Sequence, residues 1–266
     1  MLYGAMNSPL KPILEELESA ADLGFDYLEL AMDPPTAHYR QIFEKRHQIL
    51  SALERHRLSL VCHLPTFVYL ADLTDSIRQA SVDEVLASLS EAAALHPLKI
   101  VLHPPYISGL GVHVPELARR YALESLAMII ERGQTLGQVI CLENMPPSSG
   151  FCSGIDEIAG VMEQFPQIFL TLDIGHANIS TTQSGEKRPW PVIFSKRLRH
   201  LHLSDNHGRS DEHLPIGSGN VNLSGLIRNL KKIKYDQTVT FEIFSTEKRK
   251  LVHSKEIFTE LWNSSD

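Results

Sequence analysis

The chain has 266 residues, of which 43% are hydrophobic and 21% are charged, and its formal net charge is −7. This composition is typical of a globular domain and excludes a disordered or fibrous chain. The acidic balance disfavours a nucleic acid partner without excluding one, because a polyanion is bound through local basic patches.

The sequence shows no membrane span, no secretory signal and no cysteine spacing typical of disulfides or metal sites. No stretch approaches the about 20 apolar residues of a membrane span, and the first residues lack the basic and apolar segments of a secretory signal. We therefore expect no membrane partner and a cytoplasmic location. The three cysteines, Cys62, Cys141 and Cys152, have no paired spacing, so neither a disulfide framework nor a thiolate metal site is predicted.

Short β-rich segments alternate with longer helical patterns along the whole chain, which indicates repeated βα units and a parallel sheet. The predicted strands are Leu2 to Ala5, Tyr27 to Leu30, Ser59 to His63, Lys99 to His103, Val139 to Glu143, Phe169 to Asp173, Arg199 to Ser204 and Val239 to Phe244. Eight strands in a chain of this length predict an α/β fold, a (β/α)8 TIM barrel that forms a single domain over residues 1–266.

Seven of the eight predicted strands end in a carboxylate or an imidazole: Glu29, His63, His103, Glu143, Asp173, His202 and Glu242. Side chains alternate along a strand, so these groups should point together into the barrel mouth. Converging carboxylates repel one another and resist the loss of water unless cations neutralise them. Mixed carboxylate and imidazole ligands favour zinc, manganese, cobalt or iron over magnesium and calcium.

Two further motifs extend this set beyond the strands. TLDIGHAN places Asp173 and His176 one turn apart, and DEHLPIGSGN places Asp211 and His213 at alternating positions of a loop. Each pair could hold one metal ion. The IGSGN part of that loop could also present backbone N–H groups to a phosphate, with Arg209 near it. Glu29 is the least secure ligand, because it could instead pair with an arginine or lysine at the barrel rim.

The motifs VLHPPY, LENMPP, LDIGHAN, HLHLSDNHG, DEHLPIGSGN and FEIF follow one another in this order, after HLP at His63. Together they resemble the xylose isomerase-like barrel superfamily, which contains sugar isomerases, sugar-phosphate epimerases and endonuclease IV. In endonuclease IV nine side chains hold three zinc ions. The resemblance implies the same nine ligands here: His63, His103, Glu143, Asp173, His176, His202, Asp211, His213 and Glu242.

The sugar epimerase branch of the superfamily implies a smaller site. There, one manganese or cobalt ion is held by the positions that match Glu143, Asp173, His202 and Glu242, and the two glutamates also transfer protons. An endonuclease would need basic loops to hold a DNA backbone. The loops LPTFVYLADLT, PPYISGLGVH and NMPPSSGFCSG contain no lysine or arginine.

These features favour a metal-dependent isomerase or epimerase that acts on a sugar or sugar phosphate through an enediolate, with Glu143 and Glu242 as its catalytic residues. We expect one to three divalent ions, zinc first and manganese or cobalt as alternatives. The alternative functions are a trinuclear zinc phosphoesterase of the endonuclease IV kind and a barrel that binds metal or sugar without turnover. A homo-oligomer is compatible with the sequence.

Overall fold

A computed structural model describes residues 1–245 and 247–264. Within them, eight parallel strands pair in sequence order and β8 pairs with β1, which closes the barrel. The strands are β1 (Leu2–Met6), β2 (Tyr27–Ala31), β3 (Ser59–His63), β4 (Ile100–Leu102), β5 (Ile140–Glu143), β6 (Phe169–Asp173), β7 (Leu198–Leu203) and β8 (Thr238–Phe241). The predicted single-domain (β/α)8 TIM barrel is therefore confirmed, whereas the domain ends at residues 1 and 266 stay a prediction.

Helices connect the strands and surround the barrel. The α-helices of the described residues are α1 (Ile13–Asp22), α2 (Tyr39–His56), α3 (Asp75–Ala93), α4 (Pro115–Thr135), α5 (Ile155–Gln164), α6 (Ile174–Ser184), α7 (Trp190–Ile193), α8 (Leu223–Lys232) and α9 (Arg249–Ser264). In the part of the chain that the structure describes, none of them combines the length and the apolar character needed to cross a bilayer.

Three strands end earlier than the sequence pattern predicts, and one of them, β7, is shorter only by Ser204. β4 ends at Leu102 and β8 ends at Phe241, so His103 and Glu242 lie one residue beyond their strands. The backbone keeps its direction there, because the Glu242 N–H still donates to the Leu203 carbonyl at 3.1 Å. Both side chains keep the inward orientation that strand alternation gives them, since His103 contacts Glu143 and Glu242 contacts His202.

The two faces of the strands have different roles. Outward side chains such as Leu142 pack against the helices in the main core, and each fully buried leucine contributes about 1.5–3 kcal/mol. Inward, Tyr27, Val61 and Val101 form a separate apolar cluster. Gly4 makes room for it, since a Cβ at Gly4 would lie 2.2 Å from the Tyr27 ring. Polar inward side chains occupy the barrel between this cluster and the mouth.

Candidate metal centre at the barrel mouth

The structure brings all nine predicted ligands together at the C-terminal end of the barrel. They form three groups, within each of which one ligand atom of every residue lies within 4.8 Å of the others. We call these the deep group (Glu143, Asp173, His202 and Glu242), the side group (His63, His103 and Glu143) and the outer group (His176, Asp211 and His213). Glu143 belongs to two of them. The role of these residues as ligands stays a prediction.

The deep group consists of buried side chains that leave ligand atoms without hydrogen bonds. His202 Nδ1 lies 3.3 Å from Glu143 Oε1 and 3.1 Å from Glu242 Oε2, but neither contact has the alignment of a hydrogen bond. Both oxygens of Glu143, Asp173 Oδ2, Glu242 Oε2 and His202 Nδ1 are buried and unpartnered. Buried charges without partners are costly. A divalent cation among these three carboxylates and one imidazole would satisfy them, so the donor set fits such an ion.

The carboxylates of the deep group differ in their pKa values because their electrostatic surroundings differ. Burial opposes the ionisation of Glu143, yet His202 and His103 outweigh it and hold the Glu143 pKa well below its usual range. Burial raises the pKa of Asp173 to about 7, and the neighbouring Glu143 adds to this effect against the opposing charge of His176. Crowded carboxylates with divergent pKa values are typical of functional sites.

The side group places two imidazoles on the other oxygen of Glu143. His63 Nε2 lies 3.4 Å and His103 Nε2 lies 3.3 Å from Glu143 Oε2. His63 Nδ1 donates to the Leu64 carbonyl at 2.9 Å, which leaves Nε2 to face the group. Glu143 therefore joins the side and deep groups through its two oxygens, as a carboxylate that bridges two ions would.

The outer group lies above the deep group, on α6 and on the loop between β7 and α8. Asp211 Oδ2 lies 3.1 Å from His176 Nε2 and 2.9 Å from His213 Nε2. His176 Nδ1 donates to the Asn144 carbonyl at 2.8 Å, and His213 Nδ1 donates to the Glu242 carbonyl at 3.1 Å. Metal-binding histidines typically have one ring nitrogen fixed in this way.

Three histidines of the side and outer groups have raised pKa values. Burial favours their neutral form, yet the surrounding carboxylates raise the pKa of His63 to about 9, of His176 to about 10 and of His213 to about 9. Because an imidazole ligand must be neutral, binding of divalent ions would displace protons from these rings.

Asp205 organises the loop that carries Asp211 and His213. This buried carboxylate accepts the backbone N–H groups of Gly217 and Gly219 at 2.9 Å and of Val221 at 3.0 Å. The expectation that the IGSGN segment presents its N–H groups to a phosphate is therefore wrong, because each of these N–H groups already has a partner within the protein.

Exposed apolar side chains surround the mouth. They lie on the loops that follow β1, β3, β4 and β8: Leu10, Phe67, Tyr69, Leu110, Val112 and Phe244. Phe244 stacks on His213 of the outer group, with ring centroids 4.1 Å apart. The lack of lysine and arginine in the loops after β3, β4 and β5 is visible in the sequence, whereas a strand or helix pattern does not reveal this apolar entrance.

The chain belongs to the xylose isomerase-like TIM barrel family, whose model matches residues 17–261. The resemblance found in the motifs is thereby confirmed. A solved structure of a D-tagatose 3-epimerase-like protein superposes with a TM-score of 0.85 at 26% identity, over 99% of this chain and 97% of that chain.

Three relatives are similar to this chain over most of its length. An uncharacterized protein of Methanocaldococcus jannaschii is 29% identical over 281 residues, which cover 98% of this chain and 89% of the relative. A fructoselysine 3-epimerase of Escherichia coli O157:H7 is 25% identical over 246 residues, covering 87% and 86%. A probable endonuclease 4 of Aquifex aeolicus is 24% identical over 261 residues, covering 91% and 90%.

Proposed function

We propose that the chain is a divalent-metal-dependent isomerase or epimerase of a sugar or sugar phosphate, with the deep group as its active site. One observation carries the proposal: four buried side chains predicted to be ligands converge at the mouth, and five of their oxygen and nitrogen atoms lack hydrogen bonds. The likeness to the D-tagatose 3-epimerase-like structure and to the fructoselysine 3-epimerase supports the sugar assignment.

Glu143 and Glu242 would carry the proton transfer. They approach His202 from different strands, so a sugar carbon next to a carbonyl could lie between the two carboxyl groups. One glutamate, ionised, removes the proton from that carbon, and the other, protonated, returns a proton to the opposite face. A divalent ion held by the deep group would supply the charge that stabilises the enediolate.

The test of this proposal is solvent exchange at the carbon next to the carbonyl. Protein loaded with Mn²⁺, Co²⁺ or Zn²⁺ is incubated in D₂O with free ketoses and with ketose phosphates, and deuterium uptake is followed by NMR. We expect uptake that disappears in chelator-treated protein and returns when the ion is restored. A sugar that binds to the loaded protein without exchange would identify a binding protein, and exchange that persists without metal would contradict the site assignment.

A second candidate function is the hydrolysis of phosphoesters at a trinuclear zinc centre. The observation that favours it is the completeness of the nine-ligand set, with Glu143 shared between the side and deep groups. The apolar entrance and the lack of basic residues in the loops after β3, β4 and β5 oppose a DNA substrate. The two candidate functions are distinguished by the metal content, measured by mass spectrometry, together with assays of abasic-duplex cleavage and of deuterium uptake. About three zinc ions per chain, cleavage of an abasic duplex and no deuterium uptake would favour the hydrolase.

A further inference from the structure

The barrel layer beneath the deep group contains a carboxylate that takes no part in the proposed reaction. Glu29, on β2, is wholly buried. Its Oε1 accepts a hydrogen bond from His202 Nε2 at 2.9 Å, and its Oε2 accepts one from His200 Nε2 at 2.9 Å. The Thr240 hydroxyl also donates to Oε2. Glu29 therefore pairs with two histidines in the barrel interior, not with a basic residue at the rim.

The hydrogen-bond directions around Glu29 are determined by its neighbours. Thr240 has one hydroxyl hydrogen, and because it is donated to Glu29, the Tyr27 hydroxyl at 2.7 Å must donate to Thr240. Glu29 thus accepts from three donors, as an ionised carboxylate can. The same hydrogen bonds argue against an ion bound by Glu29, His200 and His202, since each ligand atom that faces the others already has a partner.

The contact with Glu29 distinguishes His202 from other histidines of the centre. His63, His176 and His213 have Nδ1 fixed by a neutral backbone carbonyl and direct Nε2 to their groups. His202 is reversed: Nε2 is committed to the Glu29 carboxylate, and Nδ1 faces the deep group. A charged acceptor forms the stronger hydrogen bond and makes the opposite nitrogen a better ligand.

We propose that Glu29 is a positioning residue of the deep group. Through His202 Nε2 it fixes the tautomer and the orientation of the ring, and it thereby controls the affinity of the deep group for a divalent ion. The inference rests on the proposed function in one respect, the assignment of His202 as a ligand. It does not require that any sugar is converted.

Cobalt binding by metal-free protein tests this role. The visible spectrum of Co²⁺ reports the number and type of its ligands, and zinc competition gives the affinity. The ion of the deep group is identified as the one lost in Asp173→Asn. In Glu29→Gln, which keeps the size of the side chain, we expect the affinity for this ion to fall about 10–100-fold, with a changed Co²⁺ spectrum.

Thr238→Val provides the matched control. The Thr238 hydroxyl lies 2.6 Å from His200 Nδ1, so its loss disturbs the same buried network without removing the hydrogen bond to His202. We expect this variant to unfold at a lower temperature and to bind Co²⁺ as the wild type does. Equal losses of affinity in Thr238→Val and Glu29→Gln would overturn the proposal, as would wild-type binding by Glu29→Gln.

NMR of the zinc-loaded wild type provides a test that needs no variant, should Glu29→Gln not fold. We expect His202 to carry a slowly exchanging proton on Nε2 and to bind the ion through Nδ1. A ring that binds through Nε2 would overturn the proposal. Failure of every sugar to react would contradict the proposed function and leave both of these results standing.

Discussion

The deep and outer groups face the same mouth, but the fold holds them in different ways. The residues of the deep group lie at the ends of four consecutive strands, and the pairing register of these strands determines their relative positions. The outer group comes from the first turn of α6 and from a loop, where His213 has a φ of +46°, a value that non-glycine residues rarely adopt. The side chain of Asp211 is 31% exposed, whereas the deep group is buried.

This contrast suggests a division of roles between the two groups. Ligands on strand ends are as rigid as the barrel, which suits proton transfer at a fixed carbon. Ligands on a loop depend on a few side-chain contacts, above all on those of Asp205. We therefore expect substitutions in the deep group to abolish turnover, and substitutions in or near the outer group to change the number and affinity of bound ions.

The largest expected effect belongs to Glu242→Gln. Glutamine cannot accept or return a proton, so kcat for deuterium exchange into the sugar should fall by about a thousandfold at saturating metal. Glu18→Gln is the control, because Glu18 lies on α1 with an exposed side chain and pairs with Arg55, outside the three ligand groups. A Glu242→Gln enzyme as active as this control would rule out Glu242 as a catalytic residue.

The variant Asp211→Asn tests whether the outer group is needed for the sugar reaction. Without its central carboxylate, which faces both histidines within 3.1 Å, the outer group should lose its ion at concentrations that saturate the wild type. Sugar exchange should continue at the wild-type rate, because the deep group is intact. Metal content and exchange rate are measured on the same sample. A loss of turnover like that of Glu242→Gln would assign the outer group to the reaction and favour the hydrolase.

The convergence of the predicted ligands could be derived from the sequence, because strand ends and side-chain alternation alone determine where these residues lie. Parallel strands end at one rim and side chains alternate, so Glu143 and His202 had to converge once the barrel was recognised. The roles of Glu29 and Asp205 could not be predicted in this way. Glu29 meets His202, a residue 173 positions away, only through barrel closure. The role of Asp205 depends on the path of the loop backbone, which the sequence does not reveal. The IGSGN sequence is equally compatible with a loop that binds phosphate.

Asp205→Asn should have the smallest effect, confined to the outer group. Asparagine offers one acceptor oxygen in place of two and a weaker hydrogen bond, so the amides of Gly217, Gly219 and Val221 lose part of their anchor. We expect the affinity for the outer ion to fall about tenfold, with faster hydrogen exchange at these amides and no change in turnover.

The control for Asp205→Asn is Asn222→Ala, which removes the cap that accepts the Gly225 N–H at the start of α8. It should cost about 1 kcal/mol of stability and leave the outer ion in place, because the ligand-bearing loop remains tied to Asp205. If it weakened that ion as much as Asp205→Asn does, the outer group would depend on the stability of α8. That result would show that the Asp205 hydrogen bonds do not position the loop. The proposed contrast between ligands on strand ends and ligands on a loop would then lose its physical basis.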